Sequence, residues 1–470
     1  MSDEFEPASF RDRNSRVFQR DFRVFRALTT HGLRDWESLA STRFFRAFSD
    51  RGALVPTHLI EDTGSLVRDL GSGWIAALEH ERLPFISYPY EWAFGMLKDA
   101  ALLQLDLLFA ALEEGMILKD ASAYNLQFRG ASPVFIDVGS FSSLKPGQPW
   151  VGYRQFCQLF LYPLMLQAYK DVSFQPWLRG SLEGIEPRDA NAMMGARDVF
   201  RRGVLTHVKL QAAAQARFGT TTRDVRADLR NAGFDVRVIK ANVSGLRHLV
   251  SRLRWKEPVS AWVNYSDDNS YAAADADRKA AFVRAACSER RRPLVWDLGA
   301  NTGTYSRIAA EHAGFVVALD ADAGTIERHY QLLKRNGSRT ILPLVGNLAD
   351  PAPGLGWRGL ERLPLERRGR PDLILCLALI HHVVIGANVP LDEFVDWLAD
   401  LQAELVIEFI TKEDAMVQLL LRGKEDQYAE YNPRNFETLL LARFDVIRTE
   451  TLKSGTRTLF YARPRASHHD

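Results

Sequence analysis

A short loop in the second half of the chain carries residues that could bind a nucleoside. The apolar run 294–296 predicts a buried strand that ends at Asp297, and Gly299 and Gly303 follow it. Glycine lets a chain turn sharply and approach a ligand closely, where a Cβ atom would collide. The next apolar run ends at Asp320, whose carboxylate is placed to accept hydrogen bonds from a ribose diol. A glycine loop after one strand and an acid after the next predict a nucleoside-binding crevice.

The residues of this loop argue against other nucleotide-binding classes. A dinucleotide fingerprint has a further glycine where this chain has Asn301, and an acid at Asp297 is unusual in nicotinamide enzymes. A Walker phosphate loop is excluded, because no Gly-Lys-Ser/Thr sequence follows. The segment 297–303, Asp-Leu-Gly-Ala-Asn-Thr-Gly, instead resembles motif I of the class I S-adenosylmethionine-dependent methyltransferases.

This resemblance implies that S-adenosylmethionine is the cofactor. In that family the glycine loop packs against the methionine part, and the acid after the second strand holds the ribose hydroxyls. The residue after the third strand meets the adenine. Carried over to this chain, the cofactor-binding residues are Asp297, Gly299, Ala300, Asn301, Gly303, Asp320, Ala321, Asn347 and Leu377.

The sequence after the loop predicts an alternation of strands and helices. Strands are predicted at 315–320, 341–345, 372–378 and 404–408, and helices at 325–336 and 391–401. Residues 444–448 and 458–462 are expected to pair as a hairpin. Five alternating strands closed by an antiparallel hairpin match the Rossmann-like, seven-stranded α/β sheet of the methyltransferases. We therefore predict a methyltransferase domain over 275–465.

Two histidines and one carboxylate are the candidate catalytic residues. His381 and His382 follow the fourth predicted strand, where acceptors approach in this fold, and a histidine there could deprotonate a hydroxyl. The alternative is that one histidine packs against or caps the next helix. Glu408 ends the fifth predicted strand and is expected to face the same crevice. No Asn/Asp-Pro-Pro-Tyr sequence of nucleic-acid amino methylation occurs, which favours an oxygen acceptor.

A second group of chemistry-bearing residues lies in the N-terminal half. Asp120 and Asn125 are followed by an apolar strand that ends at Asp137, which is the spacing of a kinase catalytic loop and its metal-binding aspartate. The region resembles protein kinases and aminoglycoside-phosphotransferase-like enzymes. The resemblance implies that Asp120 is the base and that Asn125 and Asp137 hold magnesium.

Several departures from the kinase pattern count against Mg-ATP as a substrate. No lysine precedes Lys98, so the small-lobe lysine that grips the phosphates of ATP is missing. The pair Gly71 and Gly73 is too short for a glycine-rich loop, and Arg68 would be a poor substitute for a lysine point charge. A degenerate kinase-like domain that binds an acceptor or a partner, an atypical active kinase and a chance match all remain open, and the first is favoured.

The domain plan follows from these two regions. An α+β kinase-like domain is predicted over 1–222, with a small lobe at about 1–92 and a helical lobe at about 93–222. A basic connecting segment is predicted over 223–274, with residues 234–239 as one strand.

Composition and charge limit the cofactors and partners. Sixty Lys and Arg residues against 58 Asp and Glu residues leave no strong net charge and no basic stripe for a nucleic acid. The N-terminus lacks the apolar core of a signal peptide, and no apolar run reaches membrane-spanning length. Three widely spaced cysteines indicate a reducing cytoplasm and argue against a cysteine-built zinc site, so no bound metal is expected. We predict a soluble cytoplasmic protein and leave its oligomeric state open.

The whole chain resembles bacterial two-part proteins in which a kinase-like region precedes a methyltransferase, some of them associated with nodulation-factor modification. We predict methyl transfer from S-adenosylmethionine to a small-molecule, glycan or lipid-linked acceptor, at oxygen. A bifunctional kinase–methyltransferase and a non-catalytic scaffold that senses the cofactor are the alternatives.

Overall fold

The computed structural model describes residues 5–61, 66–145, 147–218, 235–256, 270–422 and 424–465. The chain divides into two units. Unit 1 consists of Met1–Phe128, Ser132–Lys256 and Gly354–Arg362, and unit 2 consists of Arg129–Ala131, Glu257–Pro353 and Leu363–Asp470. No helix among the described residues combines the length and the apolar character that crossing a membrane requires.

Unit 1 begins with a small antiparallel sheet and continues with a mainly helical part. Its strands are β1 (Ser15–Arg20), β2 (Arg23–Leu28), β3 (Thr57–Leu59), β4 (Ala76–His80), β5 (Met116–Leu118), β6 (Leu126–Arg129), β7 (Ser132–Phe135) and β8 (Phe141–Ser143). The first four form one sheet in the order β1-β2-β4-β3, and β5–β8 and β6–β7 form two-stranded pairs. The helices are α1 (Thr30–Ala40), α2 (Arg43–Asp50), α3 (Phe94–Glu113), α4 (Tyr153–Phe156), α5 (Tyr162–Lys170), α6 (Gln175–Gly180), α7 (Pro187–Met193), α8 (Leu210–Phe218) and α9 (Val236–Arg252).

Strand pairing in unit 1 brings the predicted kinase-like residues together. Leu118 at the end of β5 lies opposite Phe141 at the start of β8 in an antiparallel pair. The loop after β5 therefore runs beside the turn before β8, and the N–H of Lys119 donates to the carbonyl of Ser140 at 2.8 Å. Asp120 and Asn125 lie on the first of these segments and Asp137 precedes the second.

Helix α9 corrects one sequence expectation. Residues 236–239 were expected in a strand, but they form the first turn of α9, which packs against α3. The alternating Val-Arg-Val-Ile start is short, whereas Ile239, Val243, Leu246 and Val250 recur at helical spacing and are buried. The helical spacing decides the structure, because it places the apolar residues on one face of the helix and that face is buried.

Unit 2 contains a seven-stranded sheet and several helices. Its strands are β9 (Arg292–Leu298), β10 (Ala313–Asp320), β11 (Ile341–Val345), β12 (Leu373–Cys376), β13 (Glu404–Ile410), β14 (Phe444–Thr451) and β15 (Arg457–Pro464). The strand order is β11-β10-β9-β12-β13-β15-β14; the first five are parallel, and β15 is antiparallel to both of its neighbours. The helices are α10 (Ser270–Ser288), α11 (Thr304–Ala310), α12 (Ala323–Arg335), α13 (Leu391–Asp400), α14 (Ala415–Leu421) and α15 (Pro433–Arg443).

The burial of the strands follows their place in the sheet. Strand β13 is buried at every residue, as expected for a parallel strand that is covered on both faces. The edge strand β14 instead alternates between less and more exposed residues, with one face toward water. This is the α/β fold that the methyltransferase resemblance implies. Its five parallel strands and closing hairpin overlap the predicted segments, although the ends of several strands differ.

Candidate functional site

The glycine loop after β9 adopts a conformation that places its backbone close to the sheet edge. Gly299, Asn301 and Gly303 all have left-handed backbones, with φ of 75°, 48° and 78°. The N–H groups of Gly299 and Ala300 both donate to the carbonyl of Leu319 in the neighbouring strand β10 at 2.9 Å. The loop is therefore tied to the end of the strand that carries Asp320.

Gly303 shows why this loop needs glycine. A Cβ atom on Gly303 would lie 2.0 Å from Nε2 of His329, whose ring on α12 is fully buried. At Gly299 a Cβ atom would lie 3.2 Å from a methyl carbon of Leu379. The two glycines thus combine a left-handed backbone with neighbours that leave little or no room for a side chain.

Asp320 is fixed by backbone donors and keeps further capacity to accept hydrogen bonds. Its Oδ2 accepts the N–H of Asn301 and its Oδ1 accepts the N–H of Asp322, both at 2.9 Å. Burial raises the pKa of this carboxyl from its ordinary value. The two carboxylate oxygens together have about four acceptor positions, so the group can accept a further hydrogen bond.

Asp297 lies near the end of β9, just before the glycine loop. Its carboxylate is buried and accepts a hydrogen bond from Ser306 Oγ on α11 at 2.5 Å. Burial is the largest influence on this group and raises the pKa of Asp297 to about 6. The residue therefore supports the loop and the start of α11.

The remaining predicted cofactor residues lie along the same sheet edge. The N–H of Gly346, after β11, donates to the Asp320 carbonyl at 2.9 Å, which places Asn347 next to the second strand. Asn347 is exposed, and its Oδ1 accepts the N–H of Ala349 at 3.0 Å. Ala321 is exposed, whereas Leu377 is buried.

The two candidate histidines differ in exposure. His381 is 1% exposed, and its ring centre lies 4.2 Å from that of His382. Burial lowers the pKa of His381 to about 3 and also lowers the pKa of His382. His382 is only partly buried, so solvent reaches this histidine of the pair.

Glu408 is not at the end of its strand, which corrects the sequence expectation. Strand β13 continues to Ile410, and the Glu408 side chain is fully buried. Its carboxylate forms an ion pair with Lys279 of α10, and its Oε2 accepts the N–H of Ala378 at 2.8 Å. Ala378 has a left-handed backbone with φ of 51°, an uncommon state for a residue with a side chain. Glu408 thus holds the turn that leads from β12 to the histidines.

Glu408 belongs to a group of four charged side chains that we call the charged quartet, composed of Lys279, Glu408, Arg457 and Asp414. Arg457 Nη1 lies 3.7 Å from Glu408 Oε1, and Arg457 Nε lies 2.8 Å from Asp414 Oδ2. The guanidinium lowers the pKa of Asp414 against the effect of burial, which acts in the opposite direction. Sequence reasoning missed Arg457, because only the pairing of β13 with β15 places it beside Glu408.

In unit 1 the predicted kinase-like residues form a second polar cluster. Asn125 Nδ2 donates to Asp120 Oδ2 at 3.2 Å and to Ser140 Oγ at 3.1 Å. Asp137 forms an ion pair with Arg26 of β2, with Nη2 and Oδ1 at 2.9 Å. Sequence reasoning did not single out Arg26, which lies on a strand far from Asp137 in the sequence. No group of three His, Cys, Asp or Glu side chains suited to a metal ion occurs in the described part of the chain.

Comparison with known proteins adds one close relative. Nodulation protein NoeA of Rhizobium meliloti is 33% identical over 455 residues, which cover 96% of this chain and 94% of that protein. No protein-family model matches the chain.

Similar solved structures include two methyltransferases. The N-methyltransferase NodS from Bradyrhizobium japonicum in complex with S-adenosyl-L-homocysteine is 13% identical, with 44% of this chain and 95% of that chain covered and a TM-score of 0.32. The magnesium protoporphyrin IX methyltransferase from Synechocystis with bound S-adenosylmethionine is 17% identical, with 43% and 89% covered and a TM-score of 0.30. These values are too low to transfer an activity.

Proposed function

The chain belongs to the family of nodulation protein NoeA, and we propose that unit 2 is an S-adenosylmethionine-dependent methyltransferase. The proposed acceptor is a small molecule, a glycan or a lipid-linked compound. One observation carries the proposal: the carboxylate of Asp320, held by the N–H groups of Asn301 and Asp322, lies beside a glycine loop whose neighbours exclude side chains. An acid with spare acceptor positions next to bare backbone suits a nucleoside cofactor.

The residues of the crevice fit the parts of this cofactor. Asp320 would accept hydrogen bonds from the ribose hydroxyls, and the loop from Gly299 to Gly303 would pack against the methionine part. Asn347 would lie beside the adenine, and Leu377 would supply an apolar contact. When bound, the cofactor supplies a methyl group on a sulfonium, which is already reactive, so the protein mainly has to align the acceptor.

His382 is the proposed general base for an oxygen acceptor. The lowered pKa keeps its imidazole neutral near pH 7, in the form that can take a proton from a hydroxyl. His381 is buried against it and would fix the orientation of its ring. Glu408 is proposed as a positioning residue, because it holds the turn at Ala378 and is covered by its own ion pairs.

Transfer of a labelled methyl group from S-adenosylmethionine tests this function. We expect the wild type to label one class among small hydroxylated metabolites, glycans and lipid-linked glycans. His382→Ala should lower the rate by about 100-fold or more, as loss of a general base does, and leave cofactor affinity within about twofold. Glu437→Gln, an exposed change on α15, is the matched control and should change neither. A wild type that does not bind the cofactor would contradict the proposal.

A further inference from the structure

The polar cluster of unit 1 already contains a cation, the guanidinium of Arg26. We propose that Arg26 takes the place beside Asp137 that the kinase resemblance assigns to magnesium, so that unit 1 is closed to Mg-ATP and transfers no phosphate. The proposal concerns unit 1 alone and does not depend on the function proposed for unit 2.

Arg26 has all three guanidinium nitrogens occupied. Its Nη2 lies 2.9 Å from Asp137 Oδ1, its Nη1 donates to Ser15 Oγ at 2.9 Å, and its Nε donates to His80 Nε2 at 3.3 Å. The Arg26 side chain is 9% exposed. Withdrawing it would take a hydrogen-bond donor away from three polar groups, which makes the arrangement costly to open.

The partners of Arg26 are themselves held in place. Ser15 Oγ donates to Asp12 Oδ2 at 2.6 Å, and the Nδ1 of His80 lies 2.8 Å from Thr57 Oγ1. Burial, and then the charge of Arg26, lower the pKa of His80 well below its usual range. A neutral His80 is the form that can accept a hydrogen bond from Arg26. The guanidinium, which comes from β2, therefore lies among side chains of β1, β3 and β4 that other hydrogen bonds hold in place.

The other side of Asp137 offers no better place for a metal ion. Its Oδ2 accepts a hydrogen bond from Ser140 Oγ, and Asn125 directs its amide nitrogen to Ser140 and Asp120. Magnesium prefers oxygen ligands in octahedral geometry, and an N–H donor is not a ligand. A Cβ atom on Gly139 would lie 3.1 Å from Arg26 Nη1, so the backbone after Asp137 packs directly on the guanidinium.

A second contact covers the loop that carries Asn125. The segment Gly354–Arg362 belongs to unit 1, and the guanidinium carbon of its Arg362 lies 4.0 Å from the ring centre of Tyr124. Its Glu361 accepts two hydrogen bonds from Arg11, at 2.7 and 3.0 Å. Residues 361 and 362 therefore contact both the segment before β1 and the loop that carries Asn125.

Calorimetry of the full chain with Mg-ATP is the first test. We expect no saturable heat and no change in melting temperature, with or without magnesium. Saturable heat in the wild type that disappears in Asp137→Asn would overturn the proposal.

A double-mutant cycle tests the resident cation directly. Arg26→Met and Asp137→Asn should each lower the melting temperature, and the double variant should lose clearly less than the sum of the two. Arg26→Lys keeps the charge but not the planar guanidinium, so its melting temperature should lie between those of the wild type and Arg26→Met. Additive losses would show that the two side chains do not depend on each other and would contradict the proposal. If Arg26→Met fails to fold, Arg26→Gln, which removes the charge but keeps a polar side chain, replaces it in the cycle.

Discussion

Each of the two units contains an aspartate at its candidate site, and the two carboxylates are held by different kinds of partner. In unit 1, Asp137 is neutralised by the side chain of Arg26. In unit 2, Asp320 is held by the backbone N–H groups of Asn301 and Asp322. Backbone donors fix a carboxylate and leave acceptor positions for a ligand, whereas a guanidinium supplies the counter-charge that a ligand or metal would bring. The group that pairs with a carboxylate therefore indicates whether a ligand can bind there better than the sequence spacing of the acid does.

The largest expected effect concerns the charged side chains around Glu408 in unit 2. Lys279→Met leaves Glu408 buried without its closest cation, and we expect a loss of about 3–5 kcal/mol in unfolding free energy. Lys412→Met is the control, because its partner Asp426 is half-exposed, and it should cost less than about 1 kcal/mol. Native-state hydrogen exchange of the amides in β9 and β13 measures this for unit 2 alone. Equal losses in both variants would show that the charged quartet stabilises unit 2 no more than an exposed ion pair does.

The next prediction separates steric from backbone effects in the glycine loop. Gly303→Ala meets the ring of His329 as well as a left-handed backbone, so we expect a loss of about 2–4 kcal/mol together with loss of cofactor binding. Gly455→Ala has a similar φ of 73° with nothing within 4 Å of the added Cβ atom, and it should cost only about 1–2 kcal/mol. The same hydrogen-exchange measurement compares the two. A Gly303→Ala variant no worse than the control would argue against the close packing of the loop.

A third prediction uses the raised pKa of Asp297. The folded protein binds the proton more tightly than the unfolded chain, since burial moves this pKa from its ordinary 3.8 to about 6. Asp297 therefore lowers stability as pH rises between these values, by at most about 3 kcal/mol, and the effect is constant above them. The stability of Asp297→Asn relative to wild type should rise from pH 4 to pH 6 and then level off, as urea unfolding at each pH would show. A difference independent of pH would contradict the assignment.

Much of unit 2 could be predicted from its sequence, because periodicity and loop residues act locally. The apolar runs give the parallel strands, and the residues between them give the glycine loop and Asp320. Glu408 was misplaced because β13 extends two residues beyond it, and strand ends depend on pairing with β15. A one-dimensional pattern does not contain that pairing.

The site in unit 1 was harder to predict for the same physical reason. Asp120, Asn125 and Asp137 are close in the sequence, and the structure brings them together. Arg26 lies 111 positions before Asp137, on a strand with no motif of its own, and only the folded sheet puts it there.

Titration of S-adenosylmethionine into the full chain tests the central claim most directly. The wild type should bind the cofactor, and Asp320→Ala should weaken binding by at least about tenfold, the loss expected for hydrogen bonds to a charged group. Arg26→Lys in unit 1 should leave this affinity unchanged. Equal affinity in wild type and Asp320→Ala, or no binding by the wild type, would contradict the assignment of this crevice.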